Sequence, residues 1–500
     1  MKRAELRFFR LIYAMWLFGV FVFFSPPATW NPVSRFDLTR AIVERQTLSI
    51  DAYASSTGDR ALVHGTWYTD KAPLPSLLAL PTYVAVRTVQ SIRGSTPEYR
   101  AFAVGSTPAV RMEPNRAFQR ALHACSLFTT GIAGVALGLL AFELLRRRTT
   151  TRAAFAASAI TVLGSPLLPY STSFYGHAIA GAGLLGALVA FDTRGRRLPD
   201  GPSPAALRAA GACLVLAMGS EYISAFPAAL IGLAFMTGVP QRRWLAVIGN
   251  VALGALPLAL IVGWYHTTAF GAPWRTGYSF IARPEFAAGH AHGLLGINLP
   301  TSAGLWGLTF GTRRGLFYVT PVLLLGMLFG ARRAFRTRDL TWASGLAAFA
   351  VLLCANAGYY MWWGGAAAGP RHLLPCIAFL GFGLAFVPRT RTIWRIALYV
   401  LAALSLFNAV ALTSIGIEAP EGGDILRDFA WPGMLAGRIV TSNGATNLGM
   451  ALGFSRPFSI LPLLLWLGAG YWYLSTHLRT RPVAFRSSRH AGRAVGDARR

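Results

Sequence analysis

Charge is scarce in this chain, and acid is scarcer still. Only 13% of the 500 residues are Asp, Glu, Lys or Arg, and just 19 are acidic. A soluble domain carries roughly 25% charged residues, so a soluble globular enzyme is excluded. Cysteine is sparse as well. Cys125, Cys213, Cys354 and Cys376 each lie in or beside an apolar block, with no Cys-x-x-Cys pair. That pattern excludes a disulfide framework and a cysteine zinc site, and reads as small apolar packing. There is no Asp-x-Asp pair and no His/Cys cluster, so no metal and no cofactor is expected. No nucleotide-binding glycine signature of weight occurs, which speaks against an ATP-driven transporter. No repeat of fixed period is visible.

What is present is apolar sequence in long blocks. Hydrophobic residues make up 54% of the chain. They fall into twelve blocks near residues 9–25, 121–143, 154–170, 176–191, 205–220, 222–238, 244–264, 315–331, 341–358, 373–387, 396–414 and 457–475. Most approach the ~20 residues that span a bilayer core. The expected fold is therefore all-α, a polytopic integral membrane protein of about twelve transmembrane helices. The N-terminal MKRAELRFFRLIYAMWLFGVFVFF has a basic start and a long bulky apolar run with a poor cleavage pattern, so it reads as a retained first span. The formal net charge of +28 belongs to arginines flanking the spans rather than to nucleic-acid binding, because no soluble recognition fold accompanies it.

The stretch 72–91 is a thirteenth candidate, interrupted by Pro73, Pro75 and Pro81 and carrying Arg87. Loop arginines decide its reading. If it does not cross, the loops near 146–152, 192–208, 239–243, 332–340 and 388–395 and the tail after 477 share the N-terminal side and hold 24 arginines, against 8 in the opposite loops after residue 170. The positive-inside rule then makes 72–91 an interfacial helix, puts both termini in the cytoplasm and turns 26–120 into one long outer loop with juxtamembrane helices. The expected domain is 1–478, followed by a basic, disordered cytoplasmic tail, 479–500, suited to anionic lipid head groups. Large outer loops between spans point to function.

Those loops hold the candidate residues. A helix beginning near Ser34 would place Asp37, Arg40 and Glu44 on one face and apolar residues on another, as in an amphipathic interfacial helix. Ser34-x-x-Asp37 also reads as a capping box. In GTWYTDKAPLPS, Lys71 either snorkels and pairs with Asp70 or waits at head-group depth for a phosphate. His177, in PYSTSFYGHAIA, is either an interface residue or an acid–base group. Glu221, between two apolar runs, is either a turn acid or a site carboxylate, since its charge is costly inside the bilayer. Trp362 and Trp363 are either belt aromatics or a platform for a sugar ring. Arg371 and His372 close the same loop, Arg371 as a phosphate ligand or a lipid-head contact.

SRFDLTR followed by GTWYTDKAPLPS resembles the first outer loop of lipid-linked-sugar glycosyltransferases of the GT-C architecture, which include protein O-mannosyltransferases and the lipid A aminoarabinose transferase. Asp37 and Arg40 match a D-x-x-R-like arrangement, and Asp70–Lys71 with APLP match a K-P-P-L-like one. The stretch YYMWWGGAAAGPRHLLP is similar to a pattern in bacterial members of that group. The resemblance implies an inverting glycosyltransferase of the cell (inner) membrane, active on its extracytoplasmic face. It implies Asp37 as general base and Arg40 and Lys71, joined by Arg371, as ligands of the donor phosphate. The donor would be a sugar on a polyprenyl-phosphate lipid, and the acceptor an extracytoplasmic glycan, lipid or protein. The second acid that several members carry at the outer end of a later span is missing from that turn here; His177 is one residue available in its place, and Glu221 is the other candidate. The rival class is a transporter or flippase of a lipid-linked substrate, which would carry ionisable residues inside spans and a half-to-half repeat.

Overall fold

A computed structural model describes residues 3–103, 110–193, 201–436 and 446–478, with the side chains of 100–112 left aside. The expected tail, 479–500, lies outside the described residues.

The described chain is helical. In order, the elements are α1 (Arg3–Phe23), α2 (Trp30–Arg45), α3 (Leu74–Leu78), α4 (Leu80–Ile92), α5 (Arg116–Ser126), α6 (Ile132–Arg146), α7 (Thr151–Leu163), α8 (Leu167–Thr172), α9 (His177–Phe191), α10 (Pro204–Ser220) and α11 (Ala225–Thr237). They continue as α12 (Trp244–Phe270), α13 (Pro284–His290), α14 (Ser302–Thr309), α15 (Leu316–Val319), α16 (Val322–Thr337), α17 (Leu340–Ala357), α18 (Leu374–Gly381), α19 (Thr392–Ile415), α20 (Trp431–Leu435), α21 (Leu448–Ala451) and α22 (Leu461–His477). Strands occur only as three two-stranded antiparallel pairs among the described residues: 24–25 with 446–447, 60–63 with 66–69, and 99–103 with 110–114. All twelve apolar blocks are helical. Six helical segments have at least 18 residues and enough apolar character to cross a bilayer, and five further apolar helices are shorter. In hydrocarbon a backbone must satisfy its own hydrogen bonds, and a helix does so within one segment.

Local chemistry sets the ends. Asn115 accepts from Phe118 N at 2.8 Å to cap α5, and Ser203 caps α10 with Pro204 at the first helical position. Packing relies on small residues in contact. A Cβ on Gly211 would lie 1.9 Å from the Val251 carbonyl oxygen, and one on Gly254 1.9 Å from that of Arg208. Only glycine lets α10 and α12 approach so closely.

Ion pairs define one end of the bundle. Arg148, just after α6, bonds Asp192 after α9 at 2.5 Å and Asp339 before α17 at 2.8 Å. Arg147 joins Asp192 at 2.9 Å, and Glu143 pairs with Arg10 of α1. The start of α1 thus meets the end of α6, so the two run antiparallel and residues 24–99 gather at the other end. There, α4 has 13 residues, a rise of about 20 Å, short of the ~30 Å hydrocarbon core. It keeps Val84, Val89 and Ile92 exposed and buries Tyr83.

Two expectations for α2 are corrected. The helix starts at Trp30, so Ser34 is interior and caps nothing; its hydroxyl meets Thr69 Oγ1 at 2.6 Å. Nor is α2 an amphipathic surface helix. Residues 31–41 are buried on every side, because the hairpin, α3 and α4 wrap it.

Arg148 is enclosed with Asp339 and with Asp192, which Arg147 also contacts. Removing it leaves buried charge uncompensated, a defect worth roughly 3–5 kcal/mol. Arg148→Ala is expected to lower the thermal unfolding midpoint of the detergent-solubilised protein steeply, and Asp192→Asn to lower it less. Equal midpoints for wild type and Arg148→Ala would contradict this account.

Candidate active site

At the end of the bundle away from Arg148, the connecting segments enclose a cavity of about 380 Å³. The first turns of α2 contribute Asn31 and Arg35, and the hairpin contributes Asp59, Asp70 and Lys71. Tyr175 and His177 come from the entry to α9, and Glu221 from the turn after α10. Tyr278 and His290 come from the segment after α12, Tyr359, Tyr360, Arg371 and His372 from the loop before α18, and Glu418 from the segment after α19.

The hairpin turns on His64 and Gly65, both at positive φ (49° and 86°), the geometry of a two-residue turn matched to strand twist. Its register sets Arg60 opposite Thr69, which brings Asp59 beside Asp70. Lys71 Nζ lies between them, 3.0 Å from Asp59 Oδ2 and 2.9 Å from Asp70 Oδ2. Burial alone would lift the Asp59 carboxyl, but Lys71 outweighs it and holds Asp59 below the usual carboxylate range. For Asp70 burial prevails, opposed in part by Lys71 and reinforced by Asp59, so its carboxyl is pushed up. One lysine thus fully serves only one of two acids.

Arg35 is 1% exposed. It donates to Asn31 and bonds Glu221 Oε1 at 2.7 Å. Glu221 also lies 3.4 Å from His177 Nδ1, so the two candidates for a second acid–base group are neighbours. His177 and His372 meet ring edge to face at 5.7 Å.

Arg371 differs from the other two cations. No carboxylate lies within 4.0 Å of it among the described residues, and its buried Nε has no hydrogen-bond partner. The nearby wall holds further unmet polar atoms, namely Arg35 Nε, His177 Nδ1, His372 Nε2 and Asp70 Oδ1. Gly364, at φ 74°, lies against the Arg371 stem: a Cβ there would sit 3.1 Å from Arg371 Cγ. Behind this loop Arg314 donates only to carbonyls, at 2.8 Å to Arg313, 2.9 Å to Gly365, 2.9 Å to Pro420 and 3.2 Å to Trp363. Burial lowers its guanidinium to about 10. Glu418 is set into the wall, and burial pushes its carboxyl up to about 7.

Among the residues singled out from sequence, Asp70, Lys71, His177, Glu221, Arg371 and His372 line the cavity together. Asp37 and Arg40 do not. Asp37 is fully buried on the far side of α2, where it accepts from the Ser56 hydroxyl and lies 3.5 Å from Arg40. Arg40 also bonds the Pro97 carbonyl at 3.0 Å, approaches Glu44 at 3.6 Å and stacks 3.9 Å over Tyr53. The pair fastens α2 to its surroundings. Trp362 packs on Gly307, outside the lining, and Trp363 donates to Glu421 at the rim at 3.0 Å. Sequence reasoning missed Arg35, Asp59, Glu418, Tyr278 and His290. The turn pair His64–Gly65 was the available signal for Asp59, since it fixes the hairpin register. No group of three His, Cys, Asp or Glu able to hold a metal occurs among the described residues.

No family model matches the chain, and no curated protein matches it in sequence. The fold resembles that of ArnT. Two crystal structures of ArnT from Cupriavidus metallidurans are similar over most of the length. The apo form aligns with TM-score 0.48 and 13% identity over 95% of this chain and 76% of that one. The form bound to undecaprenyl phosphate aligns with TM-score 0.45 and 14% identity over 96% and 77%. ArnT is a lipid A aminoarabinose transferase, a GT-C enzyme, and the likeness is one of fold.

The raised carboxyls have a measurable consequence. Glu418 moves from an ordinary value of 4.5 to about 7, so between those pH values the folded chain holds a proton that the unfolded chain has lost. Stability contributed by that proton is present below about 4.5 and is lost as pH rises to about 7. Asp37, raised mainly by burial from 3.8 to about 7, acts in the same sense. Glu418→Gln and Asp37→Asn should each reduce the fall in unfolding midpoint between pH 5 and pH 8. Slopes identical to wild type would refute the assignment.

Proposed function

We propose that the protein is a membrane glycosyltransferase that moves a sugar from a polyprenyl-phosphate carrier to an extracytoplasmic acceptor, without a metal or other cofactor. The observation that carries this reading is Arg371, a guanidinium with no carboxylate partner on the wall of a polar cavity at the ends of apolar helices. An unpaired cation with unmet donors beside it favours an anionic ligand, and a planar guanidinium suits phosphate. Apolar helices beneath the cavity suit a ligand whose other half is hydrocarbon.

The chemistry follows from the charges. The acceptor oxygen attacks the anomeric carbon, the bond to the phosphate oxygen breaks, and the leaving phosphate takes the electron pair. Arg371, with Arg35 and Lys71 nearby, stabilises the charge that builds there. The acceptor proton passes to a carboxylate on the cavity wall. Glu418 is the best-suited group, because a base works best with its pKa near the operating pH. Asp37 and Arg40 are positioning residues in this reading, and a single displacement inverts the anomeric centre.

Transfer from labelled lipid-linked sugar in proteoliposomes tests the assignment. Arg371→Ala should weaken carrier binding by about tenfold or more, the scale of a lost charge-assisted hydrogen bond, with partial recovery in Arg371→Lys. Glu418→Gln should still bind carrier but turn over roughly 100- to 10,000-fold more slowly. Asp37→Asn, once folded, should retain turnover. Full activity in Glu418→Gln would remove the base. Wild-type protein that neither copurifies with polyprenyl phosphate nor transfers sugar would remove the whole reading.

A further inference from the structure

The segment joining α12 to α15 contains 27 consecutive residues, 286–312, without one Asp, Glu, Lys or Arg. It lies between Glu285, paired with Arg283 at 2.6 Å, and Arg313. At the roughly 25% charged residues of soluble domains, a water-facing loop of that length would carry about seven. Its large apolar side chains also point away from the protein. Leu294 is 63% exposed, Leu299 85% and Trp306 65%.

Two observations identify what covers them. First, the segment follows in sequence on α12, the least buried of the six long apolar helices. Leu260 and Trp264 of α12 are exposed, and Trp274, just past its end, is exposed as well. Second, the irregular backbone is sealed from the opposite side. Asn298 N donates to Gly358 O at 2.8 Å, Thr301 N to Ala357 O at 3.2 Å, and Tyr360 N to Gly296 O at 2.9 Å. The Thr301 hydroxyl accepts from Gly304 N at 3.0 Å and caps α14. Non-helical backbone is tolerated at membrane depth only where its polar groups are satisfied within protein, and these contacts supply such partners on the side that faces 357–360.

We propose that residues 286–312 form a re-entrant strap immersed in the bilayer at the cavity end, with Leu294, Leu299 and Trp306 in contact with phospholipid. The inner edge of the strap carries His290, whose Nε2 lies 3.1 Å from the Tyr359 hydroxyl in the cavity wall. This side of the cavity is therefore backed by membrane rather than by water. The inference does not depend on the reaction proposed above.

Nitroxide labels test it in cysteine-free protein reconstituted into phosphatidylcholine bilayers. Labels at Leu294, Leu299 and Trp306 displace no packed side chain. Oxygen should reach them several-fold more readily than a water-soluble nickel chelate does, as at Leu260. Ser55, exposed on the loop before the hairpin, should show the reverse. Preference for nickel at all three positions overturns the proposal. Exclusion of both reagents overturns it too, since a second copy of the chain would then cover the face. Unmodified protein gives an independent measure: a phospholipid with a photoreactive group near its head should crosslink to peptides within 286–312, and absence of such adducts counts against the strap.

Discussion

Charge enclosed away from water must be matched, and much of this structure can be read as the consequence. A lone ion in a low-dielectric interior is so unfavourable that cations and carboxylates are found together. With only 19 acids for 47 basic residues, most of the enclosed acids are committed to a cation. Asp192 and Asp339 hold Arg148, Glu221 holds Arg35, and Asp59 holds Lys71. These pairs link helices distant in sequence, so matching charge also fixes which helices are neighbours. Arg314 shows the alternative when no acid is at hand. Its five donors spread over carbonyls of three loops, a fan of contacts that a guanidinium supports and an ammonium does not. Against that background an unmatched Arg371 is the exception, and exceptions to charge matching concentrate where ligands bind.

The helical architecture was legible because the bilayer imposes one length and one composition on every span. All twelve apolar blocks proved helical, and 72–91, read from loop arginines as one interfacial helix, is a pair of short helices, Leu74–Leu78 and Leu80–Ile92. The cavity was half legible. Lys71, Arg371, His177 and Glu221 stood out as polar residues at the ends of apolar runs, and the ends of antiparallel helices converge. Asp37 lies outside the cavity lining, and its signal in the sequence was local. The spacing Ser34-x-x-Asp37 and the motif-like Asp37–Arg40 pair describe one helix face, whereas the face that meets the cavity is the one carrying Asn31 and Arg35. Which face turns inward depends on Ser56, Pro97 and Tyr53, which reach Asp37 and Arg40 only in three dimensions. Asp59 was missed for the opposite reason: it lies in a polar loop with nothing unusual nearby in sequence, and only hairpin pairing carries it to Lys71.

The same pairing gives Lys71 a meaning different from the one its sequence suggested. A lysine waiting for phosphate would be unpaired, yet this one is flanked by two carboxylates. An arriving phosphate would compete with Asp59 and Asp70 for Lys71 but meets no such competitor at Arg371. Asp70, already biased toward its protonated form, is the acid easier to displace. Anion binding near Lys71 should thus favour proton uptake by Asp70, so the hairpin behaves as a charge buffer rather than as a fixed positive site.

The two ends of the bundle differ in a way that bears on mechanism. At one end Arg148, Arg147, Asp192, Asp339, Glu143 and Arg10 tie four helices through short contacts, those of Arg147 and Arg148 with Asp192 and Asp339 buried. At the other, loops rather than helix ends enclose the cavity, and several of its polar atoms remain unmet. Alternating access would require the tied end to open, separating Arg148 from both carboxylates. A cavity that opens at a single end needs no such step. The substrate's apolar portion can stay in the bilayer while its charged head reaches Arg371, and the acceptor can approach from the aqueous side. The asymmetry between a closed ionic end and an open polar end therefore favours chemistry at a fixed site over transport across the membrane.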